Sequence, residues 1–502
     1  MSDVRVDVAV LGSGFSGSLT ALCLNKIGRT VALLEQGKHP RFAIGESSTP
    51  IANMMLRDLA SKYDLPRVAP LAKYGTWRDN YPQLTCGLKR GFSYFAHRRG
   101  EPFHATDHHA HELLVAASAD DPHSDTHWLR ADIDRFLFDE AAAEGIHALD
   151  RCRVHSLHKD DAGGWHVECE RNKETLSIRA AFLIDASGAS GIVPRALNIA
   201  EAASSFQTHS RAIYSHFHGV RPWKEYFEKM GGRVADHPFD CDHAAQHHIL
   251  DDAWLWVLRF TNGVTSAGLV LDNRRYPLDT AGSEEEEWSR WLARYPSLAR
   301  MFEEAAFADA PGRLVRTGNL QRRWSKLVGR DWALLPHTAG FVDPLHSTGI
   351  AHSLCGVQRI VQICAELWGM NEFVPALHCY EAGVHQELDL IDALVSACYT
   401  TMNDFDHFTA ASMLYFAAAT SYEHLYTEGN RSLRFLCAGD PRFQEAVRGA
   451  AEFIASVNRT SGAVTDFDCS NEIARLIRPF NRVGLCDHTV NNMYPYTAAP
   501  IS

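Results

Sequence analysis

An α/β fold is predicted by three features of the 502-residue sequence. A β-branched segment near the N-terminus runs into a glycine-rich turn and then a helical pattern, a middle block of alternating segments suits a sheet, and the chain from about residue 366 is helical in pattern. The composition, 46% hydrophobic and 22% charged, allows one large core or two adjoining ones and shows no disordered or fibrous bias. With 61 acidic against 49 basic residues the formal charge is −12, which repels nucleic-acid phosphates and anionic lipid. The longest apolar runs, such as Val8 to Leu11 and Met413 to Ala419, are far too short to span a bilayer, and the N-terminus enters a strand almost at once. A cytoplasmic protein with no nucleic-acid or membrane partner is expected.

Taken in order, residues 5–11 are mostly apolar and β-branched, which predicts a buried parallel strand ending in Gly12-Ser13-Gly14-Phe15-Ser16-Gly17. Ser18 to Ile27 follows as an amphipathic helix, and Thr30 to Leu34 as a second strand closed by Glu35. This is a complete β-α-β unit with G-x-G-x-x-G at the strand-to-helix junction. Gly12 permits the tight turn, Gly14 lets the backbone approach a pyrophosphate, and Gly17 lets helix and strand pack closely. The helix N-terminus offers aligned amides to an anion, and Glu35 is placed to accept from ribose hydroxyls.

Arg130 to Ala143 has helical spacing, Arg151 to Leu157 reads as a short strand, and Ala181 to Ile184 is an apolar strand leading to Asp185 and Gly188. Trp332 to Leu335 precedes Gly340-Phe341-Val342-Asp343-Pro344-Leu345-His346-Ser347-Thr348-Gly349-Ile350, with a helix from Ala351. A nucleotide domain assembled from such separated stretches is a pattern of FAD binding rather than of simple NAD binding. Arg211 to His218, Trp254 to Phe260 and Ser266 to Leu271 are sheet-like, and Glu284 to Glu287 reads as the solvated first turn of a helix. The expected organisation is an FAD-binding domain over 1–200 with a substrate-facing insertion at about 60–125. A sheet wall over 201–315, a return of the FAD domain over 316–365 and a helical substrate-binding region over 366–502 complete it.

Twelve cysteines without a C-x-x-C pair read as reduced, small hydrophobic residues. His104, His108, His109 and His111 cluster in sequence, but their spacing fits a polar loop better than a defined ligand set, so no metal is expected.

The chain resembles the flavin-dependent halogenases, and within them the phenol and pyrrole group. The resemblance rests on the glycine turn, His39-Pro40-Arg41-Phe42-Ala43-Ile44-Gly45-Glu46-Ser47-Ser48, Gly87-Leu88-Lys89-Arg90-Gly91-Phe92, Trp254-Leu255-Trp256-Val257 and the Gly340 to Ile350 segment. It implies a fold of the glutathione-reductase and aromatic-hydroxylase type. It also implies a two-step chemistry in which reduced FAD, oxygen and chloride or bromide yield hypohalous acid, which then travels to a lysine beside an electron-rich aromatic substrate. Lys89 stands at the matching position. A long amine side chain can hydrogen-bond hypohalous acid or form a haloamine, and so present a positioned electrophile. By the same resemblance Thr348 and Gly349 map to the halide site. Gly12, Gly14, Phe15, Ser16, Gly17, Glu35, Arg41, Ser47, Ser48, Arg130, Asp185, Asp343 and Ile350 map to cofactor contacts, and Trp254, Trp256 and His346 to the substrate side. Asp185 and Asp343 could equally cap neighbouring helices, and Ser347 or Thr348 could be an ordinary N-cap.

Three departures stand out. Arg259 replaces the proline that usually closes the tryptophan motif, which favours an aromatic hydroxylase as the alternative activity, and His346 stands where indole-acting members carry a glutamate. Leu335-Pro336-His337 also replaces a common Gly-Asp-Ala segment. A flavoprotein without catalysis, acting as a binding partner in a biosynthetic assembly, is the remaining alternative. With one dinucleotide fingerprint, a separate flavin reductase is the expected partner. The substrate would be a phenol or pyrrole, free or held on a carrier protein, in antibiotic biosynthesis.

Overall fold

Five parallel strands, in the order His147–Leu149, Val31–Leu34, Asp3–Leu11, Glu174–Asp185 and Trp332–Leu334, form the heart of a seven-stranded sheet. The structure, a computed structural model, describes residues 3–159, 163–279, 281–459 and 466–497. Val8 to Leu11 and Val31 to Leu34 are buried, as strands covered on both faces must be. The antiparallel pair Cys152–Lys159 and Trp165–Arg171 continues the sheet from the N-terminal half of Glu174–Asp185. The helices Phe15–Lys26, Arg130–Ala143 and Thr348–Leu367 pack together beside it. The first of these starts at Phe15, before the periodic pattern does, because the glycine loop itself forms the first turn. Gly12 holds φ +103°, and a Cβ there would lie 2.5 Å from the Ala186 carbonyl oxygen; at Gly17 it would lie 1.9 Å from that of Gly12. Only glycine fits either position.

A second sheet of nine strands is built mainly from Ser210–His218, Thr265–Asp272, Ala253–Arg259, Ala245–Leu250, Gly91–Ala96 and Glu112–Ala116 in that spatial order. The middle block of the sequence supplies only part of it. Gly91–Ala96 pairs in parallel with Ala245–Leu250, and Met493–Tyr494 pairs with Glu112–Ala116, pairings too distant in sequence for local patterning to reveal. The helix Glu284–Ala293 opens with a Ser283/Glu286 capping box.

The chain then turns helical through Phe373–Thr401, Phe405–Thr427, Pro441–Arg459 and Asp466–Ile477. Residues 407–423 of the second of these are buried all round, so it is a core helix lying against the second sheet, where Phe408, Tyr415 and Phe416 meet Phe92 and Tyr94. The cysteines are free, and all but Cys379 and Cys486 are buried. Among the described residues no helix is long and apolar enough to cross a membrane.

Candidate active site

A cavity of about 480 Å³ opens at the carboxyl end of the parallel strands, where α/β sheets bind their ligands. Gly12, Gly14, Phe15, Ser16, Glu35, Arg41, Arg130, Gly349 and Ile350 all line it. Gly14 is the extended residue before the first helix and makes no side-chain cap, so the helix N-terminus faces the cavity. A Cβ on Gly14 would lie 3.3 Å from Arg130 Nη2 and 3.8 Å from Arg41 Nη2, so two guanidinium groups flank the approach to the glycine turn. Asp134 holds one of them, accepting from Arg130 Nε at 2.9 Å and from the Phe15 amide at 3.0 Å. The sequence reading missed Asp134, although its i, i+4 spacing from Arg130 was visible.

Glu35 ends the second strand with its carboxylate in the cavity wall. It accepts from Gly37 N at 2.8 Å and from Arg41 Nη2 at 3.1 Å. Burial works to raise its pKa, but Arg41 and the Gly37 amide outweigh that and hold it below the usual carboxylate value. A fixed anion at the ribose position, amides and arginines at the pyrophosphate position, and a glycine turn that admits no Cβ together fit FAD.

Asp185 and Asp343 do not line this cavity. Asp185 accepts from Ser187 N at 2.9 Å and Val193 N at 2.7 Å, capping the short helix Ile192–Ala196. Asp343 accepts from Ser210 Oγ, from Tyr399 Oη at 2.9 Å and from Leu345 N at 3.0 Å. Gly17 packs on the turn behind the cavity. Thr348 is the buried first residue of its helix, and the N-cap Ser347 side chain accepts no bond from the backbone amides of the first turn. Ser347 instead adopts a left-handed conformation at φ +52°, and Gly349 faces open space.

Lys89 lies in a second, drier place. Its strand, Cys86–Lys89, pairs with Asp125–Trp128, and the side chain is wholly buried. Nζ donates to the Ser48 carbonyl at 2.5 Å and sits 4.1 Å from the centre of the Phe92 ring. Ser48 belongs to the loop whose Ile44 and Gly45 border the cofactor cavity, and its Oγ accepts from Thr126 N at 3.1 Å. Ser47 forms an isolated bridge with His127. One loop therefore touches both the cavity and the lysine. Burial lowers the Lys89 pKa to about 7, with Asp125 opposing, and burial raises that of Asp125.

Around the lysine stand aromatic and imidazole rings. His247 stacks on Tyr94 at 4.7 Å and lies 5.0 Å from Trp254, and His346 stacks on Tyr415 at 4.4 Å. Burial depresses His127, His247 and His346 to about 3, so all three are neutral at neutral pH. Tyr94 Oη, His127 Nδ1 and His346 Nδ1 are buried and find no hydrogen-bond partner among the described residues. A small cavity of about 20 Å³ between Phe92, Tyr415, Phe416, Ala419 and Thr497 adjoins this cluster. Tyr94, His247 and Tyr415 also escaped the sequence reading, because their strands and helix meet only in the fold.

Trp254 and Trp256 project to the same face of their strand. Trp254 Nε1 donates to Tyr399 Oη at 3.1 Å, while Trp256 packs at 5.9 Å from Tyr214, which in turn lies 6.3 Å from Phe42 of the cofactor cavity wall. Trp256 is thus linked through Tyr214 to the cavity wall, and Trp254 packs on His247 of the cluster around the lysine. Arg259 is turned elsewhere: it donates to Asp242 at 3.0 Å and to the carbonyls of Val220 and Arg221 at 3.0 and 2.7 Å, pinning a loop. The arginine that stands in place of the motif's proline is thus spent on a loop and bonds to neither indole.

The FAD dependent oxidoreductase family profile matches residues 7–246. The chain is 31% identical over 409 residues to monodechloroaminopyrrolnitrin halogenase PrnC of Pseudomonas fluorescens, covering 80% of this chain and 68% of that one. It is also 31% identical to the tetracycline 7-halogenase of Kitasatospora aureofaciens, over 70% of this chain and 62% of that one. The solved structure of halogenase PltM with phloroglucinol and FAD superposes with a TM-score of 0.82 at 23% identity, over 98% of this chain and 100% of that chain. With a cavity that fits FAD and a relative 31% identical over 80% of this chain, the chain belongs to the flavin-dependent halogenases.

Proposed function

We propose that this halogenase acts on a hydroxylated aromatic ring and that Lys89 is its catalytic amine. Bound reduced FAD, with oxygen and halide, supplies hypohalous acid. The residues of the chain then do three things. Arg41, Arg130 and the first-helix amides hold the cofactor, and Thr348 and Gly349 offer backbone amides to the halide at an uncapped helix start. The Trp254 and Trp256 indoles separate that place from the substrate.

Lys89 receives the oxidised halogen. The observation that carries this reading is its complete burial, with the amine anchored on Ser48 of the loop that borders the cofactor cavity. A desolvated amine that loses its proton near neutrality keeps a lone pair for the halogen, and Phe92 beside it supports an aromatic substrate. The neutral His127 and His346 and the Tyr94 hydroxyl supply hydrogen-bonding groups suited to phenolic hydroxyls. Imidazole is also a base for the proton that leaves the ring.

With a single dinucleotide fingerprint, reduced FAD is expected from a separate flavin reductase. The test supplies reductase, FAD, oxygen, bromide and a panel of phenols, each free and as a carrier-protein thioester. Wild type should brominate the phenols, and should not consume NADPH rapidly when the reductase is omitted. Lys89→Ala should cut brominated product by roughly 10²- to 10⁴-fold while flavin reoxidation continues and the oxidant escapes as hydrogen peroxide or free hypobromous acid. A Lys89→Ala enzyme that still brominates at the wild-type rate and position refutes the assignment.

A further inference from the structure

Away from the cofactor cavity, two segments distant in sequence bring His109, Glu112 and His237 together. His109 closes the loop before the strand Glu112–Ala116, and His237 arrives 125 residues after Glu112 on the turn that follows residues 234–236. His109 Nδ1 lies 3.4 Å and His237 Nε2 2.9 Å from the same oxygen, Glu112 Oε2. The three side chains are 3%, 0% and 2% exposed. We propose that these residues bind one divalent first-row transition ion, zinc foremost, as a structural centre that ties the 232–237 turn to the edge of the second sheet.

The donor set is the first argument. Two imidazole nitrogens and a carboxylate are what zinc takes, and at metal–ligand bonds of about 2.0–2.1 Å tetrahedral ligands stand roughly 3.3 Å apart, close to the 3.4 and 2.9 Å that separate Glu112 Oε2 from the two imidazoles, with all three ligand atoms within 4.8 Å of one another. The second argument is the outer shell. A metal-bound histidine usually gives its other ring N–H to a carboxylate, which fixes the ring. Here His109 Nε2 faces Asp236 Oδ2 at 3.3 Å, and Arg233 holds that carboxylate at 2.8 Å. The third is an unmet need: Glu112 Oε1 is buried and finds no partner among the described residues, and a bidentate carboxylate would use it. A carboxylate without exposure and with a free oxygen is costly unless a cation faces it.

His109 also holds a left-handed backbone at φ +55°, a conformation unusual for a non-glycine residue, which turns its ring toward Glu112. Along the sequence, His109 is one of four loop histidines with no ligand pattern. In the fold its facing groups are Glu112, His237 and Asp236 instead.

Full-length holoenzyme freed of metal would be loaded with Zn²⁺, desalted and analysed for bound metal and FAD, with affinity measured by chelator competition and Tm recorded. Wild type should retain about one equivalent of zinc per chain, and zinc should raise its Tm. His237→Ala and Glu112→Gln should bind at least about 100-fold more weakly with FAD content unchanged, and the positioning variant Asp236→Asn about 10- to 100-fold more weakly. His104→Ala, a loop histidine outside the set, should match wild type. If Glu112→Gln does not fold, His237→Ala and Asp236→Asn carry the test. Failure of wild type to retain zinc, or equal retention by His237→Ala, overturns the proposal and leaves the halogenase reading untouched.

Discussion

At the scale of single residues, the question is the protonation of Lys89. Removed from water, its amine is charged only below about pH 7, and Asp125, on the paired strand, is the nearby anion that supports the charge. Halogen transfer to nitrogen needs the lone pair, so bromination should rise with pH through about 7. Replacing Asp125 by Asn removes the stabilising anion, lowers the lysine pKa further and moves the midpoint of the rise down by about one pH unit. The pH profile of product formation checks this. Activity that instead falls as pH rises through about 7 would mean the ammonium form, acting as a hydrogen-bond donor, does the work. Lys89 was legible in the sequence because its motif is local. Its setting was not, since Ser48, Phe92, His247 and Tyr415 reach it from separate strands, a loop and a helix. Asp185 and Asp343 show the reverse limit: a strand-end aspartate has the same sequence signature whether it meets a cofactor or, as here, spends its oxygens on backbone and hydroxyl donors.

At the scale of elements, the β-α-β unit and the long helices were legible because each writes its own period, 2 or 3.6, into contiguous residues. What holds helix to helix was not. Glu387 of Phe373–Thr401 is completely buried, accepts two bonds from Arg359 at 2.8 and 2.9 Å, and pairs with His352 at 3.0 Å, both from Thr348–Leu367. It also accepts from the Phe435 amide at 2.8 Å. Burial alone would raise its pKa, yet Arg359 and His352 bring it to about 2. A carboxylate depressed in the folded state stabilises the fold above the unfolded pKa, near 4.5, and that contribution disappears as pH falls toward 2. The sum is roughly 3 kcal/mol. Glu387→Gln should therefore lower stability by roughly 3 kcal/mol at pH 7, because it removes the charge that the part-buried Arg359 and His352 hold, and should flatten the acid limb between pH 4.5 and 2. Thermal melts of both proteins across that range measure it, and parallel acid limbs would show that this carboxylate is not the one responsible. The clamp lies on the helix that begins at Thr348, so it also fixes the helix start that faces the flavin cavity.

At the scale of the whole molecule, the proposed function puts the two chemical steps in different compartments, and a junction of three regions lies between them. Asp343, in the loop before Thr348, receives Ser210 from the second sheet and Tyr399 from the C-terminal helices, and Tyr399 receives the indole N–H of Trp254. A single carboxylate thus ties together the loop before Thr348, the second sheet and the helix Phe373–Thr401, and burial raises its pKa to about 6, with the hydroxyl and amide donors opposing. Tyr399→Phe removes the bridging hydroxyl, leaving the Trp254 N–H unpaired and one Asp343 oxygen with a donor fewer, at a cost of about 1–3 kcal/mol. Neither residue lines the cofactor cavity, so FAD affinity should remain at the wild-type level. The Trp254 indole, however, loses its anchor, and oxidant formed on the flavin side should reach Lys89 less faithfully. The expected outcome is a lower ratio of brominated product to oxygen consumed, with the difference recovered as hydrogen peroxide or free hypobromous acid, together with a Tm reduced by a few degrees. Oxygen uptake, product yield and escaped oxidant measured in the same reaction decide it. If Tm falls while the ratio holds, the junction is a structural tie only, and the passage of oxidant to the lysine is secured by the indoles without it.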